Sequence, residues 1–117
     1  YEIMPSLVGS EMCIRDRYYE RVVQTFGSRE AFHDSYRLFM APGMGHCAGG
    51  PGPNSFDSLS ALEAWVEQGD APESITAVHR ENGEVDRSRP LCPYPEVATY
   101  TGSGSIDEAE NFVCEAP

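Results

Sequence analysis

The sequence contains no lysine, and its basic residues, all arginine, number 8 against 19 acidic residues. The formal net charge is therefore -11 at pH 7. Such a surface repels the phosphate backbone, so we expect no nucleic-acid partner and interpret the acidity as that of an ordinary solvated surface. Long apolar runs are also absent: none approaches the ~18 residues that a membrane-spanning helix needs, so we expect no membrane contact. Hydrophobic residues make up 40% of the 117, which suffices for one folded domain.

The first seventeen residues differ in kind from the rest. The stretch from Leu7 to Arg17, LVGSEMCIRDR, resembles the translated sequence of a sequencing-library adapter, over a length that makes a chance match very improbable. Segments of that origin are set aside when a fold is inferred. We therefore expect residues 1–17 to be an adapter-derived artefact and residues 18–117 to be part of a longer natural protein. Three cysteines then remain, and an odd number suggests a missing partner.

The remaining residues predict an alternation of helix and strand. Apolar spacing predicts a helix over Tyr18–Phe26 that Gly27 ends, a buried strand over Tyr36–Ala41, and a Gly/Pro loop over residues 42–53. A second helix follows, with Asn54 or Ser55 as its cap and Asp57 in its first turn. Its predicted apolar stripe is Phe56, Leu59, Leu62, Trp65 and Val66, and Gly69 ends it.

The last third begins with a strand and then becomes irregular. Ile75–Arg80 is predicted as a strand, with a tight turn at Asn82-Gly83. From Arg87 onward we expect irregular structure, because three prolines fall within six residues and TGSGS follows. The order strand, loop, helix, strand is typical of an α/β layer protein.

The loop after the first strand, in MAPGMGHC, carries His46 and Cys47 side by side. A histidine on a glycine loop beyond a buried strand is placed to reach a nucleophile from another strand end, so His46 is either a catalytic base or an ordinary polar residue. Cys47 is disfavoured as a nucleophile, since adjacent residues of an extended loop point apart. Zinc is disfavoured too, because spaced ligand pairs are lacking. His33 and His79 are interpreted as surface or hydrogen-bonded polar residues.

Two stretches together resemble a known family. They are YRLFMAPGMGHCAGGPGPNSFDSLSALEAWVEQGDAPESITA and RSRPLCPYPEVATYTGSGSIDEAENFVC, which lie within residues 18–114. They are similar to the C-terminal end of the tannase and feruloyl esterase family, which also includes mono(hydroxyethyl) terephthalate hydrolases, and PGMGHC-x-GGPGP is their most specific part. The resemblance implies an α/β fold class: the C-terminal piece of an α/β-hydrolase fold, with an incomplete sheet and with the lid domain absent.

The resemblance also implies roles for individual residues. His46 matches the histidine of a Ser-Asp-His triad. Cys47 matches a cysteine that is bridged to the residue before the nucleophilic serine, so its partner is absent from this chain. Cys92 and Cys114 match a second disulfide near the C-terminus, and closing a loop of that size contributes roughly 3 kcal/mol in the chain-entropy model. No metal and no cofactor is implied.

The family's serine, its neighbouring cysteine and its aspartate have no match here. Asp16 belongs to the adapter-like segment and is not the triad acid. The resemblance therefore implies that this chain is a fragment of a serine ester hydrolase that acts on aromatic esters, namely feruloyl, galloyl or related phenolic esters. The fragment is expected to be inactive, because it lacks the serine and the aspartate. The partner of the parent enzyme is a small-molecule aromatic ester substrate, and the sequence does not indicate an oligomeric state. The disulfides imply an oxidising compartment, so we expect the parent protein to be secreted or periplasmic.

Two other classes of protein stay open. A small secreted binding module, stapled by Cys92 and Cys114, would fold alone and bind carbohydrate or a protein. A thiol or metal protein using His46 and Cys47 would take up metal under reducing conditions. A severed enzyme end is instead expected to expose apolar surface on strand 36–41 and helix 55–69.

Overall fold

The computed structural model of the chain describes residues 2–6, 10–45 and 48–117, and describes side chains from Asp16 onward. Its elements are listed here in chain order: β1 (Glu2–Ser6), α1 (Ser10–Phe26), β2 (Tyr36–Met40), α2 (Ser58–Gln68), β3 (Ile75–Glu81), β4 (Glu84–Leu91), β5 (Val97–Tyr100), a short 3-10 helix (Ala109–Asn111) and β6 (Phe112–Glu115). The chain thus mixes helix and strand, and the predicted order of strand, loop, helix and strand is confirmed by β2, α2 and β3.

The strands form three two-stranded sheets among the described residues. β1 pairs with β2 in parallel, β3 with β4 antiparallel, and β5 with β6 antiparallel. A bridge between Phe39 and Pro93, and a hydrogen bond of 2.7 Å from the Tyr94 N–H to the Leu38 carbonyl, join the second edge of β2 to the segment after β4. These links bring the C-terminal third of the chain against β2.

Strand β2 is buried on both faces, which explains its nearly continuous apolar sequence. Phe39 on one face packs in a cluster with Ala41, Ile75, Ala77 and Leu91. On the opposite face, Leu38 packs with Tyr19 and Phe32. The predicted buried strand is therefore confirmed, and the expectation that it exposes apolar surface is wrong.

Helix α1 begins eight residues before the predicted start, at Ser10, and ends where it was expected. Gly27 follows it with a φ of +88°, and its N–H donates to the Val23 carbonyl at 2.9 Å. Positive φ costs glycine little, so Gly27 ends the helix as predicted. The adapter origin of residues 1–17 stays a prediction.

The start of α2 differs from the prediction. Its N-cap is Asp57, whose side chain accepts a 2.9 Å hydrogen bond from the Ser60 N–H. Asn54 and Ser55 do not cap it, because their N–H groups donate to the Val78 carbonyl and so tie them to β3. Gly69 ends the helix with a φ of +75°, as predicted.

The apolar stripe of α2 is only partly buried. Trp65 is 2% exposed and Phe56 packs on the cluster around Phe39, but Leu59 and Val66 are 64% and 56% exposed. The face that meets the core runs through Ala61 instead, four residues before Trp65. The prediction that Leu59 and Val66 belong to the buried face is wrong for this chain, whereas the expected exposed apolar surface on α2 is present.

The segment from Arg87 onward, predicted as irregular, contains the second half of β4 and all of β5 and β6. Pro90 is accommodated because β4 pairs in a two-stranded sheet and is therefore an edge strand, where proline is tolerated. The TGSGS stretch is the connection across which β5 and β6 pair. The predicted strand at Ile75 and the turn at Asn82-Gly83 are confirmed, the turn having positive φ at both residues as type I′ requires.

Cys92 and Cys114 form a disulfide, the pairing that the resemblance implies, with a Cα–Cα distance of 5.6 Å. Cys92 follows β4 and is buried, whereas Cys114 lies in β6. The bond therefore ties the small β5–β6 sheet to the buried end of β4. None of the described helices is long and apolar enough to cross a membrane.

Removing this disulfide is expected to lower the free energy of unfolding by about 3 kcal/mol, because it closes a loop with a sequence separation of 22. The double variant Cys92→Ser/Cys114→Ser, measured by urea denaturation, should match the reduced wild-type protein. A loss below about 0.5 kcal/mol in both would show that β5 and β6 are held without the bond.

Candidate functional site

The candidate site is the Gly/Pro loop that leaves the buried end of β2. Ala41 is fully buried, and its carbonyl accepts a 3.4 Å hydrogen bond from the Met44 N–H. The turn between them has Pro42 second and Gly43, with a φ of +77°, third. Pro-Gly in these positions is typical of a type II turn, whose third residue needs positive φ. The chain therefore leaves the core sharply and in a defined direction.

Beyond this turn the loop closes on itself. The Gly45 N–H donates to the Gly49 carbonyl at 2.8 Å, and the Gly52 N–H donates to the Gly43 carbonyl at 2.9 Å. The outgoing limb, residues 42–45, thus runs against the returning limb, residues 49–52. The first hydrogen bond therefore joins the described residues on either side of positions 46–48.

The two limbs are too close for side chains. A Cβ on Gly50 would meet the Gly43 carbonyl oxygen and lie 2.7 Å from the Gly45 nitrogen, and one on Gly45 would lie 2.7 Å from the Ala48 carbonyl oxygen. Contacts under 3 Å force the backbone apart. The glycine spacing that marked this stretch in the sequence is therefore a requirement of limb-to-limb packing.

The returning limb ends on strand β3. The N–H groups of Asn54 and Ser55 both donate to the Val78 carbonyl, at 3.1 and 3.0 Å, and the Val78 N–H donates to the Ser55 carbonyl at 2.8 Å. The Asn54 side-chain amide donates from Nδ2 to the Gly50 carbonyl at 3.2 Å. The loop is thus anchored at both ends, on β2 and on β3.

His46 and Cys47 lie outside the described residues, so the catalytic role of His46 and the missing partner of Cys47 stay predictions. In the sequence this pair stands between the described residues Gly45 and Ala48. Cys92 and Cys114 are joined to each other by their disulfide, outside this loop. Within the described ranges, no group of three or more His, Cys, Asp or Glu side chains could hold a metal ion.

An apolar groove of about 510 Å³ borders the loop limbs. Its walls combine prolines and glycines of the loop with the end of β4 and the start of β5; the lining includes Pro42, Pro51, Pro53, Leu91, Val97 and Arg89. The Arg89 guanidinium carbon lies 4.2 Å from the centre of the Phe112 ring, a cation–π distance. The limbs of the glycine loop therefore form part of the wall of this groove.

A second cleft, of about 600 Å³, is polar and lies at the other end of β2. Arg29, His33, Arg37, Glu73 and Glu96 line it, and Arg29 pairs with Glu96 at 3.2 Å. Its two cations are balanced by two carboxylates, so it does not favour a ligand of one charge.

His33 in this cleft contradicts its sequence interpretation. Its ring Nδ1 is buried and has no hydrogen-bond partner in the described part of the chain. Burial lowers the pKa of His33, and the neighbouring Arg29 and Arg37 lower it further. His79 is hydrogen-bonded as predicted: its Nδ1 lies 2.6 Å from Oδ1 of Asp86, and this hydrogen bond is the main cause of the lowered pKa of Asp86.

Arg37 is a buried residue that the sequence interpretation did not single out. It is 8% exposed, its Nε donates to the His33 carbonyl at 3.0 Å and its Nη1 donates to the Pro72 carbonyl at 2.8 Å. Its guanidinium also lies 5.4 Å from the Trp65 ring centre. An arginine inside the apolar run YRLFM was the available signal, because a charge within a buried strand needs partners.

The two glycines of the returning limb allow a matched pair of substitutions. Gly49→Ala and Gly50→Ala both place a side chain at positive φ, +73° and +101°, but the Cβ meets open space at Gly49 and the opposing backbone at Gly50. We expect Gly49→Ala to cost about 1 kcal/mol of stability, from strain alone, and Gly50→Ala at least twice as much. Thermal unfolding measures both, and equal losses would contradict the close approach of the limbs.

Stability should depend on pH through His33. The folded protein holds this group below its ordinary pKa of 6.5, so its contribution to the free energy of unfolding is complete above pH 6.5 and is lost as the pH falls through the lowered value. His33→Gln should flatten the change in stability between pH 7.5 and 5.5, measured by urea denaturation. Parallel curves for the two proteins would show that His33 protonates equally in the folded and unfolded chains.

Comparison with known proteins places this loop in a family context. The family model described as tannase and feruloyl esterase matches residues 13–115. A mono(2-hydroxyethyl) terephthalate hydrolase from Piscinibacter sakaiensis is 48% identical over 103 residues, which cover 86% of this chain and 17% of that protein. A probable feruloyl esterase from Arthroderma benhamiae is 37% identical over 102 residues, covering 84% and 19%.

A solved structure shows the same similarity in three dimensions. The crystal structure of feruloyl esterase B from Aspergillus oryzae matches with a TM-score of 0.79 and 28% identity, over 86% of this chain and 23% of that one. The chain spans less than a quarter of each of these relatives. The match of the family model over most of the chain establishes that the chain belongs to the tannase and feruloyl esterase family.

Proposed function

We propose that this chain is the C-terminal part of a serine ester hydrolase of the α/β-hydrolase fold, and that His46 is its general base. The observation that carries the proposal is the closed glycine loop at the end of β2, in which the Gly45–Gly49 hydrogen bond of 2.8 Å brackets the position of His46. A catalytic imidazole has to be held within a fraction of an ångström of its nucleophile, and a loop fastened to two strands meets that need.

In the reaction, His46 takes the proton of a serine hydroxyl as that serine attacks the ester carbonyl. The protonated imidazole then gives the proton to the leaving alcohol, and an aspartate holds the ring in the required tautomer. Water repeats the sequence to release the acid and regenerate the serine. The serine, the aspartate and the oxyanion-hole N–H groups belong to parts of the longer protein that precede residue 18.

The proposed substrates are esters of aromatic acids: feruloyl, galloyl or related phenolic esters. The names of the relatives, which include feruloyl esterases and a mono(2-hydroxyethyl) terephthalate hydrolase, support this class. The groove of about 510 Å³, which the loop limbs help to line, offers a mainly apolar surface to such a substrate. A lid elsewhere in the longer protein would complete the choice of acyl group.

Cys47 is proposed to be bridged to a cysteine next to the nucleophilic serine, upstream of this chain. Such a bond would join the loop covalently to the segment that carries the nucleophilic serine. It would be a third attachment of the loop, besides those to β2 and β3. Together with the Cys92–Cys114 disulfide, it supports a secreted or periplasmic parent protein, because these bonds persist only in oxidising compartments. Residues 1–17 are proposed to be adapter-derived and residues 18–117 to be the enzyme.

The test uses both the chain and the longer protein. The chain alone should not hydrolyse methyl ferulate, methyl gallate or mono(2-hydroxyethyl) terephthalate, because it has one of three triad residues. In the longer protein, His46→Ala should lower kcat by at least about a thousandfold, whereas His79→Gln, a histidine on β3 away from the loop tip, should change it less than twofold. Product release followed by liquid chromatography measures each rate.

Two results would contradict the proposal. One is turnover by the chain alone that His46→Ala abolishes, since no upstream serine would then be needed. The other is a longer protein whose esterase activity survives His46→Ala. A chain that folds alone, is inert in every ester assay and binds a saccharide or protein would favour the secreted binding module instead.

A further inference from the structure

The crossing of the two loop limbs is made of glycines, and beside it the Met44 side chain of the outgoing limb packs on the cluster around Phe39. Gly43, Gly45, Gly50 and Gly52 meet there backbone to backbone, and the limbs share the two N–H to carbonyl hydrogen bonds already described. Residues 48–51 are exposed, so water competes for those hydrogen bonds. A glycine-rich segment is also the one with the most backbone freedom to lose. A side-chain hydrogen bond to this segment therefore adds to the two backbone hydrogen bonds that already join the limbs.

Asn54 supplies such a hydrogen bond. Its Nδ2 donates to the Gly50 carbonyl at 3.2 Å, which ties the returning limb to a side chain outside the two limbs. Gly50 is the point at which the returning limb presses on Gly43 and Gly45. A hydrogen bond on its carbonyl therefore fixes the peptide plane that sets the distance between the limbs.

Asn54 is itself rigidly placed. Its own N–H and that of Ser55 converge on the Val78 carbonyl, and the Val78 N–H returns a 2.8 Å hydrogen bond to Ser55. Val78 lies in the paired part of β3, opposite Ser88 of β4. Hydrogen bonds thus run from the β3–β4 sheet through Asn54 to Gly50. Gly50 is the chain neighbour of Gly49, whose carbonyl accepts the hydrogen bond from the Gly45 N–H.

We propose that Asn54 is a positioning residue for the reaction: it ties the returning limb to β3 and so fixes the described residues on either side of positions 46 and 47. This inference rests on the proposed function, because it assumes that His46 is the base. The hydrogen bond from Asn54 to Gly50 requires a donor on the side chain. A carbonyl oxygen can only accept a hydrogen bond, and the Asn54 amide provides the N–H that it accepts. An ionised carboxylate at position 54 would have no hydrogen to donate and would repel the carbonyl oxygen.

The experiment compares Asn54→Asp and Asn54→Ala with Ser55→Ala in the longer esterase. Asn54→Asp keeps the shape and removes the donor, whereas Asn54→Ala removes the contact altogether. Ser55→Ala is the matched control: it removes the 3.2 Å hydrogen bond from Arg80 Nη1 to Ser55 Oγ on the same bridge to β3, but it does not touch the loop. His46→Ala is measured alongside, and thermal unfolding is recorded for every variant.

We expect both Asn54 variants to lower kcat roughly tenfold with KM changed less than twofold, because displacement of a catalytic group impairs the chemical step more than substrate binding. Ser55→Ala should stay within twofold of wild type in kcat. The melting temperatures of Asn54→Asp and Ser55→Ala should agree within about two degrees, which separates positioning from a general loss of stability.

Three results would overturn the inference. Asn54→Asp and Asn54→Ala that keep wild-type kcat would show that the loop holds its place without this side chain, even if His46→Ala abolishes activity and the proposed function stands. A fall in kcat that Ser55→Ala shares in equal measure would assign the effect to the β3 bridge as a whole. Full activity of His46→Ala would overturn both the inference and the proposed function.

Discussion

The burial of β2 on both faces is the constraint on which the rest of the structure depends. Leu38 and Phe39 are fully buried, one in each of the two hydrophobic clusters, so both clusters of the described chain are built on this five-residue strand. A strand held on both faces cannot rotate or slide without opening two clusters at once. Its end is therefore a rigid platform, and the loop that begins at Ala41 inherits that rigidity.

The loop limbs at residues 42–45 and 49–52 are held in place mainly by backbone hydrogen bonds. Its limbs approach so closely that glycine is required at the crossing, and that requirement removes the side chains that would normally hold a loop together. The structure compensates at the periphery. A Pro-Gly turn sets the exit direction, and the backbone bridge at Val78 fastens the return. The glycines that have the most backbone freedom are thus the residues at which the two limbs lie closest together.

The arginines show how an acidic chain uses its few cations. Arg37 lies over Trp65 and donates to two carbonyls, and Arg89 lies over the Phe112 ring. Arg29 and Arg87 pair with Glu96 and Asp107. A planar guanidinium stacks flat on a ring and presents five donors in a fixed fork, whereas a lysine ammonium is a compact charge with three donors. With 8 basic residues against 19 acidic ones, most surface carboxylates have no arginine to pair with, which accounts for the net charge of -11.

What the sequence determined by itself was local. The apolar run at Tyr36, the positive-φ glycines at 27 and 69 and the Asn82-Gly83 turn all act over a few residues, so their outcomes were predictable. The spacing of PGMGHC identified the loop and, through resemblance, the family. Only the tertiary structure decided which residues cap α2, because Asn54 and Ser55 exchange a helix cap for hydrogen bonds to a strand more than twenty residues later in the chain. It also decided that the proline-rich tail forms β4, β5 and β6, since strand pairing and the Cys92–Cys114 bond join residues that no local pattern relates.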